Sequence, residues 1–453
     1  MGRSDGGLSG KIGPLFWSPW AMVSAALALR LVVMCATYKI QLDPSLDHWA
    51  FGWETGRVAR SIVTGEGFSS PYSKPTGPTA LIPPVYPYLA AGVFKMFGIY
   101  TASSALVLLA LNNLFSSFTC LPMFLIARKV FGFHIAVWAG WTWVIFPYSI
   151  GLSNTVIWET SFTTLLLTLA VLATLHLETS NRTVDWIGYG LLWGFTGLTS
   201  PATLSVLPFL GGWIWIRHWQ RGSKITSFAF AASLAFFAVI FPWIWRCGHA
   251  YGRFVAFRDN FGLEVLVGNS DDTSRSANWN LLPATNPSEL ERLRQIGEPA
   301  YMAEKQEQAK ELIERQPSRY ALLTLRRILN TWTAAWEYPP GWNMDESGLA
   351  NILMYSLISL LAFTGIGRAI RDRRDGVFPL SILIVVFPGI YYLTHSDLGF
   401  RHPIDPVMAI FLVYGTSIVV KKKSQLHAQD TFPDTVEKSD QLCSWTERGE
   451  RRA

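Results

Sequence analysis

The chain has 453 residues, half of them hydrophobic and only 15% charged, with a mean hydropathy of +0.24 and 20 tryptophans. A water-soluble domain of this length cannot hide that much apolar surface in one core, so the sequence is that of a polytopic membrane protein. Its formal charge of +6 sits in short Lys/Arg clusters between apolar segments, which reports membrane orientation and excludes a nucleic-acid partner.

Spanning a bilayer takes about 20 mostly apolar residues. The first candidate, 18–37, has no small-residue cleavage site after it and reads as an uncleaved helix. Further candidates are 102–127, 133–151, 154–177, 185–200, 202–217, 226–246, 348–367, 377–394 and 403–420. The segment Pro84 to Gly98 is short for a span. The clusters Arg128-Lys129, Arg217/Arg221/Lys224, Arg368/Arg371/Arg373/Arg374 and Lys421–Lys423 all fall on the cytoplasmic side, together with both termini, if Pro84–Gly98 does not cross. This parity makes Asp43–Gly98 one non-cytoplasmic loop with two helices lying along the membrane, Trp49–Thr64 and Val85–Phe97. The competing reading is a thin span at 84–98.

The same alternation puts the long polar segment 247–347 on the outer face. Within it, Asn286-Pro287-Ser288-Glu289 is a helix start with an N-cap residue and proline at the first position. A second helix from Pro317 to Trp336 places Leu322, Leu325 and Leu329 on one side, as an amphipathic helix leading back to the bilayer would. The expected organisation is an N-terminal membrane module 1–246 with its first outer loop at 38–100, the outer helical segment 247–347, C-terminal membrane helices 348–420 and a disordered cytoplasmic tail 421–453.

Cys35, Cys120, Cys247 and Cys443 show no paired or metal-ligand spacing, and no Asp/His cluster suggests a metal. No cofactor is expected. The charges concentrated in the first outer loop are the main chemical signal. Glu54 precedes Arg57 by one helical turn, and Arg60 follows by another. A carboxylate beside guanidinium groups suits a reaction in which an acceptor hydroxyl loses its proton while a phosphate departs. The plainer reading is a surface ion pair, with Arg60 on lipid headgroups. Gly65–Pro71 and Pro83-Pro84-Val85-Tyr86-Pro87 are shaping elements, a helix cap and a helix start.

The stretch WETGRVARSIVTGEGFSSP (from Trp53), followed by GPTALIPPVYPYLAAGVFKMFG (from Gly77), resembles the first outer loop of the GT-C superfamily of membrane glycosyltransferases. The resemblance is strongest to the branch with protein O-mannosyltransferases and the lipid A aminoarabinose transferase. It implies transfer of a sugar from a polyprenyl-phosphate donor and an acidic catalytic residue soon after the first span, which is Glu54 or Asp47 here. It also implies an all-α, GT-C-type fold with about 10–11 membrane helices. Tyr86 belongs to the family's Pro-Pro-x-Tyr turn. The family's usual Asp-Glu pair is absent, and Ile82 stands where the aminoarabinose branch has a lysine facing the donor phosphate, leaving Lys74 or an arginine elsewhere for that task.

Other candidates lie outside the loop. Arg401 and His402, in the outer-face motif Phe400–Pro406, are expected to meet either a donor phosphate or the carboxylates Asp397 and Asp405. Arg258 is a candidate clamp for the sugar phosphate, and Asn260 or Asn269 for sugar hydroxyls, against the alternative of an ordinary polar turn. Glu159 is expected to reach the same cavity, and Arg30 to snorkel toward the headgroups. The resulting expectation is an inverting glycosyltransferase of the cell (inner) membrane, in contact with membrane lipids. Its site faces the outer side, and its acceptor hydroxyl, on protein, lipid or glycan, is undefined. A lipid-linked glycan ligase or polymerase is one rival. A transporter or flippase is the other, although no internal repeat is found.

Overall fold

The computed structural model describes residues 16–41, 51–270, 277–334 and 346–429. Asp43, Asp47, Trp49 and Trp336 lie outside the described residues. The chain divides into two units, 1–415 and 416–453, and the elements below are those of the first unit and the helix that leaves it.

The described elements are helices, with one isolated antiparallel bridge between Ser69 and Pro78. In order, α1 (Pro19–Gln41) precedes the first outer loop with α2 (Glu54–Val63) and α3 (Val85–Phe97). Then come α4 (Ala102–Phe118), α5 (Cys120–Phe131), α6 (Phe133–Val144), α7 (Pro147–Thr155), α8 (Thr160–Leu177), α9 (Thr183–Thr199), α10 (Leu207–Gln220) and α11 (Thr226–Tyr251). The outer segment holds α12 (Phe261–Asn269), α13 (Pro287–Ile296), α14 (Glu298–Arg315) and α15 (Pro317–Thr333). The chain continues through α16 (Glu346–Arg371), α17 (Val377–Val386), α18 (Gly389–Leu393), α19 (Leu398–Arg401) and α20 (Asp405–Gln429).

Among the described residues, five helical stretches are long and apolar enough to cross a bilayer: Pro19–Thr37, Ala102–Phe131, Thr160–Leu177, Thr226–Tyr251 and Gly348–Arg371. A sixth exists if α6 and α7, bent by 42°, make one span. Of the remaining expected spans, 185–200 is the 17-residue α9 and 403–420 falls almost wholly within α20, while 133–151, 202–217 and 377–394 are broken where proline falls: Pro147 opens α7, Pro201 opens a 3-10 turn before α10, and Pro388 separates α17 from α18. The chain is an integral membrane protein of all-α architecture.

The interior corrects one expectation. Arg30 does not snorkel; it is wholly buried. Its guanidinium donates to Ser116 Oγ (3.0 Å), Ser149 Oγ (2.6 Å) and the carbonyls of Ala26, Trp143 and Val144 (each 3.2 Å). Acceptors on four helices satisfy a cation that hydrocarbon alone would not tolerate.

In the first loop the helix expected over Trp49–Thr64 is described as Glu54–Val63, and the one expected over Val85–Phe97 has those bounds. Phe51 and Ala59, either side of α2's first turns, pack with Tyr86, Ala90 and Phe94 of α3 and with Leu108 of α4. Gly52, at φ +70°, lets the chain enter α2 against the Ile157 carbonyl, 2.0 Å from where a β-carbon would stand. That close approach brings the start of α2 beside the start of α8. In the outer segment, Asn286 caps α13 by accepting from the Ser288 amide at 2.9 Å. Helix α13 ends just before Gly297 (φ +78°), and α14 starts at Glu298. Tyr72 and Leu81 of the first loop share an apolar cluster with Leu263 and Val267 of α12 and Tyr301 and Met302 of α14, so the outer segment closes over the loop.

Candidate active site

Side chains from several separated segments meet where the first loop and the outer segment close on each other. Glu54 opens α2, half-buried. Loss of hydration pushes its carboxyl above the ordinary range, while its own helix-start amide and the guanidiniums of Arg57 and Arg258 pull it back and Glu264 adds to the rise. A carboxyl raised in this way is better matched to taking a proton near neutral pH. Arg57, one turn on, is buried and donates to the Pro71 carbonyl at 3.3 Å, which fixes it under the loop.

Arg258 and Glu264 stand at the centre. Arg258 donates through Nε to the Leu81 carbonyl at 2.7 Å and through Nη2 to Glu264 Oε1 at 3.4 Å. Asn260, buried at the start of α12, donates to the same oxygen at 2.6 Å. The other carboxylate oxygen of Glu264 faces His395 Nδ1 at 3.4 Å. On the far side, Glu159, the residue before α8, lies in the field of Arg258, and Tyr391 of α18 lies in the fields of Glu159, Arg258 and Glu264. Tyr86 is buried, donates to Asn112 Oδ1 at 2.7 Å and also senses Glu159. Of the residues picked out from the sequence, Arg258 and Asn260 meet on Glu264, Glu54 and Glu159 lie in the field of Arg258, and Arg57 lies in the field of Glu54.

Other candidates go elsewhere. Arg401 and His402 are buried together on Asp405: Arg401 Nε lies 3.2 Å from Oδ1 and His402 Nδ1 3.0 Å from Oδ2. Arg401 Nη1 donates to the Thr331 carbonyl and Ser359 Oγ, both at 3.2 Å, and the guanidinium lies 4.3 Å from the Tyr355 ring centre. His402 stacks on Trp143, with centroids 5.5 Å apart. Of the partners expected for that motif, the structure shows the ion pair with Asp405. Asn269 donates to the Val265 and Leu393 carbonyls and accepts from Arg327, so it ties α12 to α18 and is not a sugar ligand. Lys74 is exposed on the loop, and Arg60 is half-buried within the field of Tyr100.

Sequence reading missed Glu264, His395 and Arg246. Glu264 left a faint signal, an acid in the otherwise apolar run Phe261–Val267. Arg246, near the end of α11, donates to the Thr79 carbonyl at 2.5 Å and to the Phe68 carbonyl, and lies over the rings of Phe68 (5.3 Å) and Trp243 (5.1 Å). It also lines a cavity of about 460 Å³ whose walls are otherwise largely apolar, including Val85, Leu89, Phe195, Leu198 and Trp243. Val58 of α2, one turn from Glu54, packs into the cluster that forms part of this wall, with Leu198, Trp243 and Val85. Among the described residues no three His, Cys, Asp or Glu side chains are grouped to hold a metal ion.

No protein-family model matches this sequence, and no curated protein matches it. Among solved structures, the apo oligosaccharyltransferase of Archaeoglobus fulgidus is similar over 91% of this chain and 52% of its own, with a TM-score of 0.54 and 14% identity. The archaeal oligosaccharyltransferase AglB from Archaeoglobus fulgidus, in complex with an inhibitory peptide and a dolichol-phosphate, gives 0.51 and 16% over the same shares. This chain thus spans about half the length of those proteins. ArnT from Cupriavidus metallidurans, bound to undecaprenyl phosphate, is similar over 91% of this chain and 83% of its own, at 12% identity and a TM-score of 0.37. Over most of its length the chain shares the fold of the archaeal oligosaccharyltransferase.

Proposed function

We propose that this protein is a membrane glycosyltransferase that moves a sugar from a polyprenyl-phosphate donor to an acceptor hydroxyl on the non-cytoplasmic face. The observation that carries the reading is Glu54, desolvated at the start of α2 in the fields of Arg57 and Arg258, with Val58 one turn along the same helix packed into the wall cluster of a largely apolar cavity. An isoprenoid chain is apolar, which matches those walls. Glu54 takes the acceptor proton, the acceptor oxygen attacks the anomeric carbon, and the carbon–phosphate oxygen bond breaks with inversion. Arg57 and Arg258 stabilise the departing lipid phosphate, and Asn260 and Glu264 orient Arg258. Arg401 has no part in this scheme. Asp47 remains a second candidate base, lying outside the described residues. A ligase or a flippase would not need a desolvated carboxylate opening the first loop.

The donor reading is tested with a polyprenyl phosphate carrying a diazirine in its isoprenoid chain. On illumination in vesicles it should label Leu89, Phe195 and Leu198, with labelling removed by excess unmodified lipid. Labelling confined to the lipid-facing sides of α11 and α16, without competition, would refute it.

A further inference from the structure

Helix α15 mixes apolar and charged residues, with Arg319, Arg326, Arg327 and Asn330 in its 17 residues. Its outward face nevertheless presents Leu322, Leu325 and Leu329, exposed by 49%, 64% and 57%, at helical spacing on one side. Its opposite face buries Leu323, Arg327, Asn330 and Thr331. The polar groups on that inner face are satisfied by protein. Arg327 donates to the carbonyls of Tyr392 (2.8 Å) and Gly268 (2.7 Å) and to Asn269 Oδ1 (2.5 Å), and Asn330 donates to Ser396 Oγ at 3.1 Å.

The depth of this helix follows from its contacts with α16. The Trp332 carbonyl accepts from Ser359 Oγ at 2.7 Å, and the Trp332 ring meets Phe363 edge-on at 4.9 Å. Ser359 stands near the midpoint of the span Gly348–Arg371. At about 1.5 Å per residue it is about 16 Å from one end and about 18 Å from the other, in the middle of a hydrocarbon core about 30 Å thick. The last turn of α15 is therefore level with the centre of a membrane helix, and Leu322 begins the stripe about 15 Å away along the axis. The stripe adjoins the exposed apolar row of a helix long and apolar enough to cross the bilayer. Through Trp332 and the exposed Phe363 it joins Leu349, Leu353, Leu357 and Leu360, the exposed row of α16.

We propose that α15 is a partial span, sunk in the bilayer with Leu322, Leu325 and Leu329 against acyl chains and its C-terminal turn near mid-depth. The occupant of the exposed face is lipid, and backbone at that depth is helical, as hydrocarbon requires. Arg326, at the stripe's edge, is long enough to carry its charge toward the headgroups. Through Arg327 the helix holds α12, which carries Glu264, and the end of α18, from which His395 follows. The bilayer thus serves as one wall supporting the site.

The test replaces the four native cysteines with alanine and introduces Leu322→Cys, Leu325→Cys or Leu329→Cys singly, each labelled with an environment-sensitive fluorophore. The labelled protein is placed in phosphatidylcholine vesicles carrying nitroxides on the headgroup or at different acyl positions. These side chains are exposed, so the labels displace no packing. Acyl-chain nitroxides should quench all three, with the most effective nitroxide deeper for position 329 than for 322, and aqueous iodide should quench none. Quenching by iodide alone would overturn the proposal, as would one shallow depth shared by all three. Protection from both quenchers would overturn it too, by showing a protein partner or second copy on this face. A thermal midpoint for each labelled protein within a few degrees of the cysteine-free parent verifies that the fold read is the native one, and Leu325→Ser, left unlabelled, gives an independent check. With its lipid-facing leucine made polar, its midpoint should fall more in vesicles than in detergent, and an equal fall in both would count against the lipid contact. None of these readouts depends on sugar transfer.

Discussion

Glu298 offers a prediction that can be worked through in numbers. It opens α14 almost completely buried, and its Oε1 accepts from the Ala80 amide at 2.6 Å and from Tyr251 Oη at 2.7 Å. Burial first, and then Asp259, raise this carboxyl from its ordinary 4.5 to about 7. The sign follows from linkage. Below pH 4.5 folded and unfolded chains are both protonated, and the stability associated with Glu298 is fully present. Between 4.5 and 7 the unfolded chain loses its proton first, so stability falls with rising pH and levels off above 7. At about 1.4 kcal/mol per pH unit across that interval, the loss approaches about 3 kcal/mol. Glu298→Gln keeps an acceptor for Ala80 and Tyr251 and removes the titration. Thermal unfolding of the detergent-solubilised protein, followed by tryptophan emission from pH 5 to 8, should give a wild-type midpoint that falls by several degrees relative to the variant. Parallel curves for the two proteins would refute the argument.

Three further outcomes are expected. In Gly268→Ala, the new β-carbon would lie 1.9 Å from the Thr394 carbonyl oxygen, and the neighbour is backbone, so the substitution should cost about 1–3 kcal/mol by denaturation and slow transfer by moving His395. Arg401→Gln breaks a buried pair with Asp405 and should cost about 3–5 kcal/mol, yet the donor KM of protein that still folds should be unchanged; a raised KM would speak for a phosphate role. Lys74→Ala should change stability by less than about 0.5 kcal/mol and leave the donor KM where it is, as steady-state rates against donor concentration will show.

Much of the site could be read from residue spacing because its parts are local. Glu54 and Arg57 are one turn apart, the Pro-Pro-x-Tyr turn does open a helix, and a carboxylate such as Glu159 beside an apolar segment asks for a polar neighbour wherever the chain folds. Arg401 could not be settled in the same way. An arginine near the outer mouth of a span suits a phosphate or a carboxylate equally, and only packing shows that Asp405, one turn later, takes both Arg401 and His402. Glu264 was less legible still. Asn260 lies one turn before it, but its partners Arg258, His395 and Glu54 acquire meaning only when α2, α12 and the end of α18 close on each other. The spans were clear as apolar runs. Their division into shorter helices at Pro147, Pro201 and Pro388 follows from proline chemistry that a hydropathy window averages away.

Glu54 as the base is the central claim, and the initial rate of sugar transfer by Glu54→Gln measures it most directly, in vesicles beside wild type with donor photolabelling as an internal control. Removing a positioned base should lower the rate by about 10²–10⁴-fold while labelling of the cavity by the polyprenyl phosphate stays at the wild-type level. Transfer within about threefold of wild type, with labelling intact, would contradict the account.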